Sequence, residues 1–267
     1  MNKIGLIAGN GVFPLEVARA ARQRGLGVIA VAHNGETDPG LTALVDEITW
    51  IKVGELQRMI EVFRTAGVKE AAMAGGIVRA QLGNSFAPDA RALAMLRRVS
   101  RFSDDTILRA VAGEIEAEGI VVIDPVPMLK GALAGPGLLA GPAPSPAQLD
   151  DLGLAFGIAR AVGQFDIGQV VAIRDGVVGA IEAIEGTDAA LRRAAALMGK
   201  GLVVAKAVKP SQDLRFDRPA IGAATVDLLG EIGAAMIGIE AGKAMILGRE
   251  NTLERAAALG VTVYGYE

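Results

Sequence analysis

KIGLIAGNGVFPLEVARAARQRG, residues 3–25, decides the fold. Its first six residues read as a buried strand, because the run is apolar and too short for a helix before glycine ends it. Gly9-Asn10-Gly11 then turns the chain, Pro14 stands near a helix start, and apolar positions recur at helical spacing until Gly25 stops them. The same alternation continues outward from this unit. GVIAVAH (27–33) reads as a second strand and ITWIKV (48–53) as a third. GELQRMIEVFRTAG (54–67) is an amphipathic helix, and VKEAAMAGG (68–76) is a fourth strand ending in paired glycines. Helical stretches at 88–101 and 103–119 precede a strand, GIVVID (119–124). Strands alternating with helices predict βαβ units, so residues 1–134 are expected to form a Rossmann-like domain around a parallel sheet.

GPGLLAGPAPSPAQ, residues 135–148, packs four prolines and three glycines into a short window, and is expected to be the linker between domains. Residues 149–267 are expected to form a second α/β domain, the catalytic one. A helix (148–163) precedes two strand-like runs joined by Asp175-Gly176, a strong hairpin signal. Then follow a helix from about 188 to 198, the strand GLVVAKAV (201–208), a charged loop, a helix from about 223, a short strand pair within AMIGIEAGKAMIL (235–247), and a closing helix and strand.

Composition narrows the chemistry by subtraction. The 267-residue chain has no cysteine and a single histidine, which excludes thiol nucleophiles, disulfides and zinc sites built on Cys or paired His. That histidine, His33, lies in the polar stretch HNGETDPG without a nucleophile-elbow pattern, and reads as a solvated loop residue. A net charge of −3 and a pI near 5.4 argue against nucleic acid as a partner. No apolar run reaches the roughly 18 residues of a transmembrane helix, and the start MNKIGLIAGNG lacks a signal-peptide layout, so a soluble cytoplasmic protein is expected. Hydrophobic residues make up 51% of the chain but aromatics only 4%, and mean hydropathy is +0.39. The surplus predicts an oligomer interface, an apolar ligand chamber, or both.

Four constellations could carry chemistry. KAVKPSQDLRFDRPAIG (206–222) crowds Lys206, Lys209, Arg215 and Arg218 with Gln212, Asp213 and Asp217. Cations at this density suit a substrate with several negative oxygens, and the carboxylates could hold a divalent metal; a solvated surface loop is the plain alternative. Gly9, Asn10 and Gly11 read as a turn between strand and helix that favours a phosphate, with a plain tight turn as the alternative, but Gly9, Gly11 and Pro14 do not complete G-x-G-x-x-G. No ribose-binding acid closes the second strand either, so a nucleotide without nicotinamide fits better than a dinucleotide. Ser103-Asp104-Asp105, with Arg109 on the face of Asp105, reads as a helix cap with dipole-complementing acids; Asp104 and Asp105 could also serve a metal or a sugar hydroxyl. Glu185-Gly186-Thr187-Asp188 offers Thr187 or Asp188 as an N-cap, or a diphosphate site that Gln169 could face.

Taken together, DIGQ (166–169), EGTDAALRR (185–193), VAKAVKPSQDLRFDRPAIG (204–222) with its D-x-P-x-x-G core, the EAG turn (240–242) and the opening GLIAGNG (5–11) resemble the UDP-2,3-diacylglucosamine pyrophosphatases of the LpxI type. The resemblance runs through both halves, in order. It implies hydrolysis of the diphosphate of UDP-2,3-diacylglucosamine to UMP and 2,3-diacylglucosamine 1-phosphate (lipid X) in lipid A synthesis, with magnesium as cofactor. It further implies two α/β domains holding the lipid between them and a homodimer formed through the carboxyl-terminal half. A diacylated substrate leaves room for peripheral contact with the inner membrane. The family's important aspartate maps onto Asp217.

The residues themselves are compatible with that reading. Attack of water on a diphosphate requires neutralised non-bridging oxygens and an oriented nucleophile, which metal, Lys and Arg supply without His or Cys. Asp217 then serves as metal ligand or as the base that orients water. Lys206, Lys209 and Arg215 stabilise phosphates, and Gln212 and Asp213 support them. Two alternatives stand beside this: a non-catalytic binder of a nucleotide sugar or lipid, and a nucleotide-cofactor oxidoreductase suggested by the amino-terminal half alone.

Overall fold

A computed structural model describes residues 2–77, 86–100 and 102–267. They divide into two compact units, one running to Lys130 and including Asp213–Asp217, the other made of Gly131–Gln212 and Arg218–Glu267.

The first unit is the expected Rossmann-like sheet. Its elements are β1 (Lys3–Ala8), α1 (Phe13–Gln23), β2 (Gly27–His33), β3 (Glu47–Ile51), α2 (Leu56–Thr65), β4 (Glu70–Ala74), α3 (Ala90–Leu96), α4 (Asp104–Glu116) and β5 (Val121–Ile123). The sheet has the order β3-β2-β1-β4-β5, and every pair is parallel. Crossover helices cover both faces, which is why β2 is buried along its whole length and reads as an uninterrupted apolar run. Alternate residues feed two cores: Ile7, Val31 and Phe63 in one, Leu6, Val28 and Val17 in the other. Gly5 lets Phe63 pack close on β1, because a Cβ there would stand 3.0 Å from the ring and the ring would have to shift. The last residue of the expected helix at 88–101 lies outside the described residues.

The second unit holds β6 (Gly137–Ala140), α5 (Pro146–Gly163), β7 (Val170–Arg174), β8 (Val177–Ile181), α6 (Thr187–Met198), β9 (Val203–Lys206), β10 (Ala220–Ile221), α7 (Ala223–Glu231), β11 (Met236–Glu240), β12 (Met245–Ile246), α8 (Arg249–Leu259) and β13 (Thr262–Tyr266). Its six-stranded sheet has the order β6-β13-β11-β9-β7-β8. β9, β11 and β13 run parallel, while β6 and the β7–β8 hairpin are antiparallel to their neighbours. The hairpin turns on Asp175 and Gly176, both at positive φ (52° and 76°), the backbone that a two-residue turn demands.

Two expectations are corrected here. Residues 135–148, read as linker, carry β6 and the start of α5; Pro136 and Pro142 flank a four-residue edge strand, where a missing N–H is tolerated. The strands of 235–247 do not pair with each other. β11 is central in the large sheet, and β12 pairs with β10 in a separate two-stranded ribbon. A turn between apolar runs fixes their separation in sequence but not their partners.

Candidate functional site

In the first unit, strand order reverses at β1, and the turns after β1 and β4 meet there. Gly9 N donates to Ala74 O and Asn10 N to Gly76 O, each at 2.8 Å. Backbone this close admits no side chain: a Cβ on Gly9 would lie 2.3 Å from Gly76 O, and one on Gly75 the same distance from Asn10 O. Asn10 fastens three segments, its Nδ2 donating to Glu36 Oε2 (3.1 Å) and its Oδ1 accepting from Gly76 N (3.3 Å). Gly11 is exposed at φ +80°, and no side chain caps the helix α1 that follows.

Glu36 was not singled out from the sequence. It lies three residues beyond the end of β2, past the strand end at which a ribose-binding acid is expected. His33 corrects another expectation. It is 6% exposed, closes β2, and has Nδ1 2.8 Å from Ala8 O, so it is a buried anchor rather than a loop residue. Burial holds its pKa below the ordinary value.

Residues 213–217 form one tight turn, with Phe216 N and Asp217 N both donating to Asp213 O. This turn belongs to the first unit although its sequence neighbours belong to the second. An ionic network explains the docking. Asp213 N donates to Asp105 Oδ1 (3.1 Å), Arg109 Nε donates to Asp105 Oδ2 (2.7 Å), and Arg109 Nη1 reaches Asp213 Oδ2 at 3.4 Å. Arg215, expected to face phosphate oxygens, has all three guanidinium nitrogens on protein acceptors: Nε and Nη2 on Asp213, Nη1 on Glu116 (2.8 Å) and Val122 O. Phe216, partly buried, packs against the core that includes Ile7, Val31 and Phe63. Asp217 is thereby held half-buried at the end of a docked turn. Asp104, on the same helix as Asp105, is exposed, and the Ser103 hydroxyl meets Thr106 Oγ1 (3.0 Å) instead of capping the backbone.

The Arg215 hydrogen bonds hold the Asp213 carboxyl below the usual aspartate range and raise the Arg215 pKa in turn. A depressed folded pKa contributes stability that is present above the unfolded value, near 3.9, and is lost as pH falls through the folded one. Asp213→Asn is therefore expected to destabilise the protein by about 1.5–3 kcal/mol at neutral pH, the range for hydrogen bonds to charged groups. The gap from wild type should begin to narrow below about pH 4 and close as pH falls on through the depressed folded value. Urea titrations at pH 7 and pH 3.5 check this; a difference that does not change with pH would show that the carboxylate charge is not what docks the turn.

In the second unit, Lys206 ends β9 with Nζ donating to Ala220 O (3.0 Å). Lys209 pairs with Asp166 at 2.6 Å, and its N–H donates to Gln212 Oε1 (3.0 Å). Gln212 is only 9% exposed, and its buried Nε2 has no hydrogen-bond partner among the described residues. Gln169 is in the same position at Oε1, and its carbonyl accepts from Ala207 N, one residue past Lys206. Buried amide atoms left unpaired are costly, and at a site they mark places for ligand atoms. The buried Glu182 carboxylate accepts from Gln169 N and Val170 N (3.1 Å each) and from Thr187 Oγ1 (2.8 Å). Neither Thr187 nor Asp188 caps α6. Gly186 takes that position at φ 81°, which an L side chain resists, and Asp188 is exposed in the first turn.

The candidates therefore fall into two sets. Gly9, Asn10, Gly11, Asp104, Asp105, Asp213, Arg215 and Asp217 lie on the first unit, and Gln169, Thr187, Asp188, Lys206, Lys209 and Gln212 on the second. Among the described residues, no three of His, Cys, Asp and Glu gather into a metal cage. This donor set fits a hard cation bound by one carboxylate and completed by substrate oxygens and water, the habit of magnesium, and it does not fit a soft metal.

Residues 3–132 match the LpxI N-terminal domain family and residues 135–264 the LpxI C-terminal domain family. A protein of Caulobacter vibrioides named UDP-2,3-diacylglucosamine pyrophosphatase LpxI is 35% identical over 279 aligned residues, covering 100% of this chain and 98% of that one. Among solved structures, the biotin carboxylase domain of Hydrogenobacter thermophilus 2-oxoglutarate carboxylase aligns at 18% identity and TM-score 0.29, over 67% of this chain and 36% of that one. The biotin carboxylase subunit of a pyruvate carboxylase aligns at 18% and 0.29, over 76% and 44%. The chain spans less than half the length of these two structures, and likeness at this level contributes nothing to an assignment.

Proposed function

The chain belongs to the LpxI family, and from that membership we propose that it hydrolyses the diphosphate bond of UDP-2,3-diacylglucosamine, giving UMP and 2,3-diacylglucosamine 1-phosphate in lipid A biosynthesis. The observation that carries the proposal is the full-length 35% identity to a pyrophosphatase of that name. The arrangement of the site residues supports it.

In the reaction, the oxygen of water bonds to one phosphorus, the bridging P–O bond breaks, and the leaving phosphate takes the electron pair. Water releases a proton. In this reading Asp217 receives that proton or holds a magnesium ion, and the docked turn around Asp213 and Arg215 holds its backbone. Bound magnesium would neutralise charge on the non-bridging oxygens. Lys206 and Lys209 supply cations at the carboxyl edge of the second sheet, each already oriented by a protein acceptor. Gln212 Nε2 and Gln169 Oε1 offer a donor and an acceptor to the substrate. In this reading Arg215 acts by docking rather than by touching phosphate. The two acyl chains require an apolar chamber. The reading also includes a homodimer in the cytoplasm, in peripheral contact with the inner membrane where a diacylated substrate resides; no helix among the described residues is long and apolar enough to cross a membrane.

Incubation of the purified chain with UDP-2,3-diacylglucosamine tests the proposal. Release of UMP supports it; ligand retained without UMP would make the protein a binder, and binding of NAD(H) in its place would favour an oxidoreductase.

A further inference from the structure

Three adjacent strands of the second sheet end side by side on Lys206, Glu240 and Tyr266, with Glu240 paired to Tyr266 and Lys206 to Ile239 in the register. The Glu240 carboxylate is 3% exposed, yet it does not serve the sheet's backbone. Its Oε1 accepts from Arg160 Nε at 2.8 Å, with Arg160 Nη2 at the same distance. Its Oε2 is buried without a hydrogen bond, although Lys243 Nζ lies 3.3 Å away as an ion-pair partner. The Arg160 guanidinium carbon also lies close to two rings, 5.5 Å from the centroid of Phe156 and 5.7 Å from that of Tyr266. Those rings are themselves stacked at 4.2 Å and 8°. The Nε/Nη2 edge of the guanidinium is thus held by Glu240 beside the two stacked rings, while its Nη1 makes no hydrogen bond to the described residues and its side chain is 42% exposed.

Burying a carboxylate is unfavourable unless its partners compensate, and an apolar residue of similar volume would stabilise a core at least as well. What this arrangement provides is a guanidinium of fixed plane presenting a free N–H edge, the geometry suited to phosphate oxygens. Its location fits as well. Ligands of α/β sheets bind beyond the carboxyl ends of parallel strands. Gly163, one helical turn after Arg160 on α5, lies against the Lys209 stem, where a Cβ would be 3.3 Å from Lys209 Cγ.

We propose that Arg160 binds a phosphoryl group of the substrate in the second unit, and that Glu240 is the positioning residue that holds it. The identification of the phosphoryl group as the substrate's diphosphate rests on the pyrophosphatase reading; the anion site itself does not.

The test uses the full-length chain with two readouts: steady-state hydrolysis of UDP-2,3-diacylglucosamine, and calorimetric binding of inorganic pyrophosphate with magnesium present. Arg160→Gln is expected to raise KM and the pyrophosphate Kd by about 10-fold or more with kcat within about threefold, the pattern of a lost binding contact. Glu240→Gln, which keeps an acceptor for Nε but removes its charge, is expected to move the same two constants in the same direction by a smaller factor. Arg160→Lys keeps the cation and its stem packing, so it reports even if Arg160→Gln fails to fold; a KM raised about fivefold or more is expected, because an ammonium cannot reproduce the planar fork. Unchanged KM and pyrophosphate affinity in folded variants, with only Tm lowered, would reduce Arg160 and Glu240 to structural roles and overturn the proposal. So would the absence of pyrophosphate binding by the wild type. If the wild type releases no UMP but Arg160→Gln weakens pyrophosphate binding, the pyrophosphatase reading falls and the anion site stands.

Discussion

Asp217→Asn is expected to lower kcat by about 10²–10⁴-fold, the range for loss of a general base or of a carboxylate that positions a catalytic metal. The fold should survive. Asp217 is half-buried at the end of a turn whose docking depends on Asp213, Arg215 and Phe216. The asparagine retains the shape and one acceptor oxygen, and the turn is held by backbone and side-chain bonds of Asp213 and Arg215. Circular dichroism and Tm should therefore match the wild type within a few degrees while turnover collapses. Near wild-type turnover in a folded variant would remove Asp217 from the mechanism.

Chelation is expected to abolish hydrolysis, and added magnesium to restore it. The residues of this chain offer hard oxygen ligands without thiolate, and no gathered carboxylate cage exists among those described. Metal would then be held mainly by one carboxylate and the diphosphate itself, so affinity for magnesium in the absence of substrate should be weak. Zinc should not substitute efficiently. Full activity in excess chelator would leave charge neutralisation to cationic side chains such as Lys206, Lys209 and Arg160 and refute a metal-assisted reaction.

The amino-terminal fold was legible because its signals are local. Each strand is an apolar run closed by glycine, each helix follows at 3.6-residue spacing, and parallel order follows from their alternation. The Asp175-Gly176 hairpin was legible for the same reason, since two consecutive positive φ angles leave few residue choices. What the sequence did not carry was partnership across distance. β12 pairs with β10 rather than β11, and Asp213–Asp217 docks on a helix more than a hundred residues earlier in the chain. Both depend on tertiary contacts that no window reveals. His33 looked solvated because polar residues follow it, whereas its own position is the last of a buried strand.

The candidate site shows the same division. The cationic segment 206–222 announced itself by charge density, but charge density does not say which cation is already engaged. Arg215 is committed to Asp213 and Glu116, while Arg160, set in the unremarkable helical stretch AFGIARAVG, has a free edge. The usable signal for Arg160 was the EAG turn: an acid ending a central strand must be paired if it is buried, and an arginine is the most economical partner.

The identity of the products tests the pyrophosphatase activity most directly. Purified full-length protein, incubated with UDP-2,3-diacylglucosamine and magnesium and followed by mass spectrometry, should yield UMP and 2,3-diacylglucosamine 1-phosphate in equal amounts. Asp217→Asn protein should yield almost none over the same time. Intact substrate at the end of the incubation, or UDP with free sugar lipid in place of UMP, would contradict it.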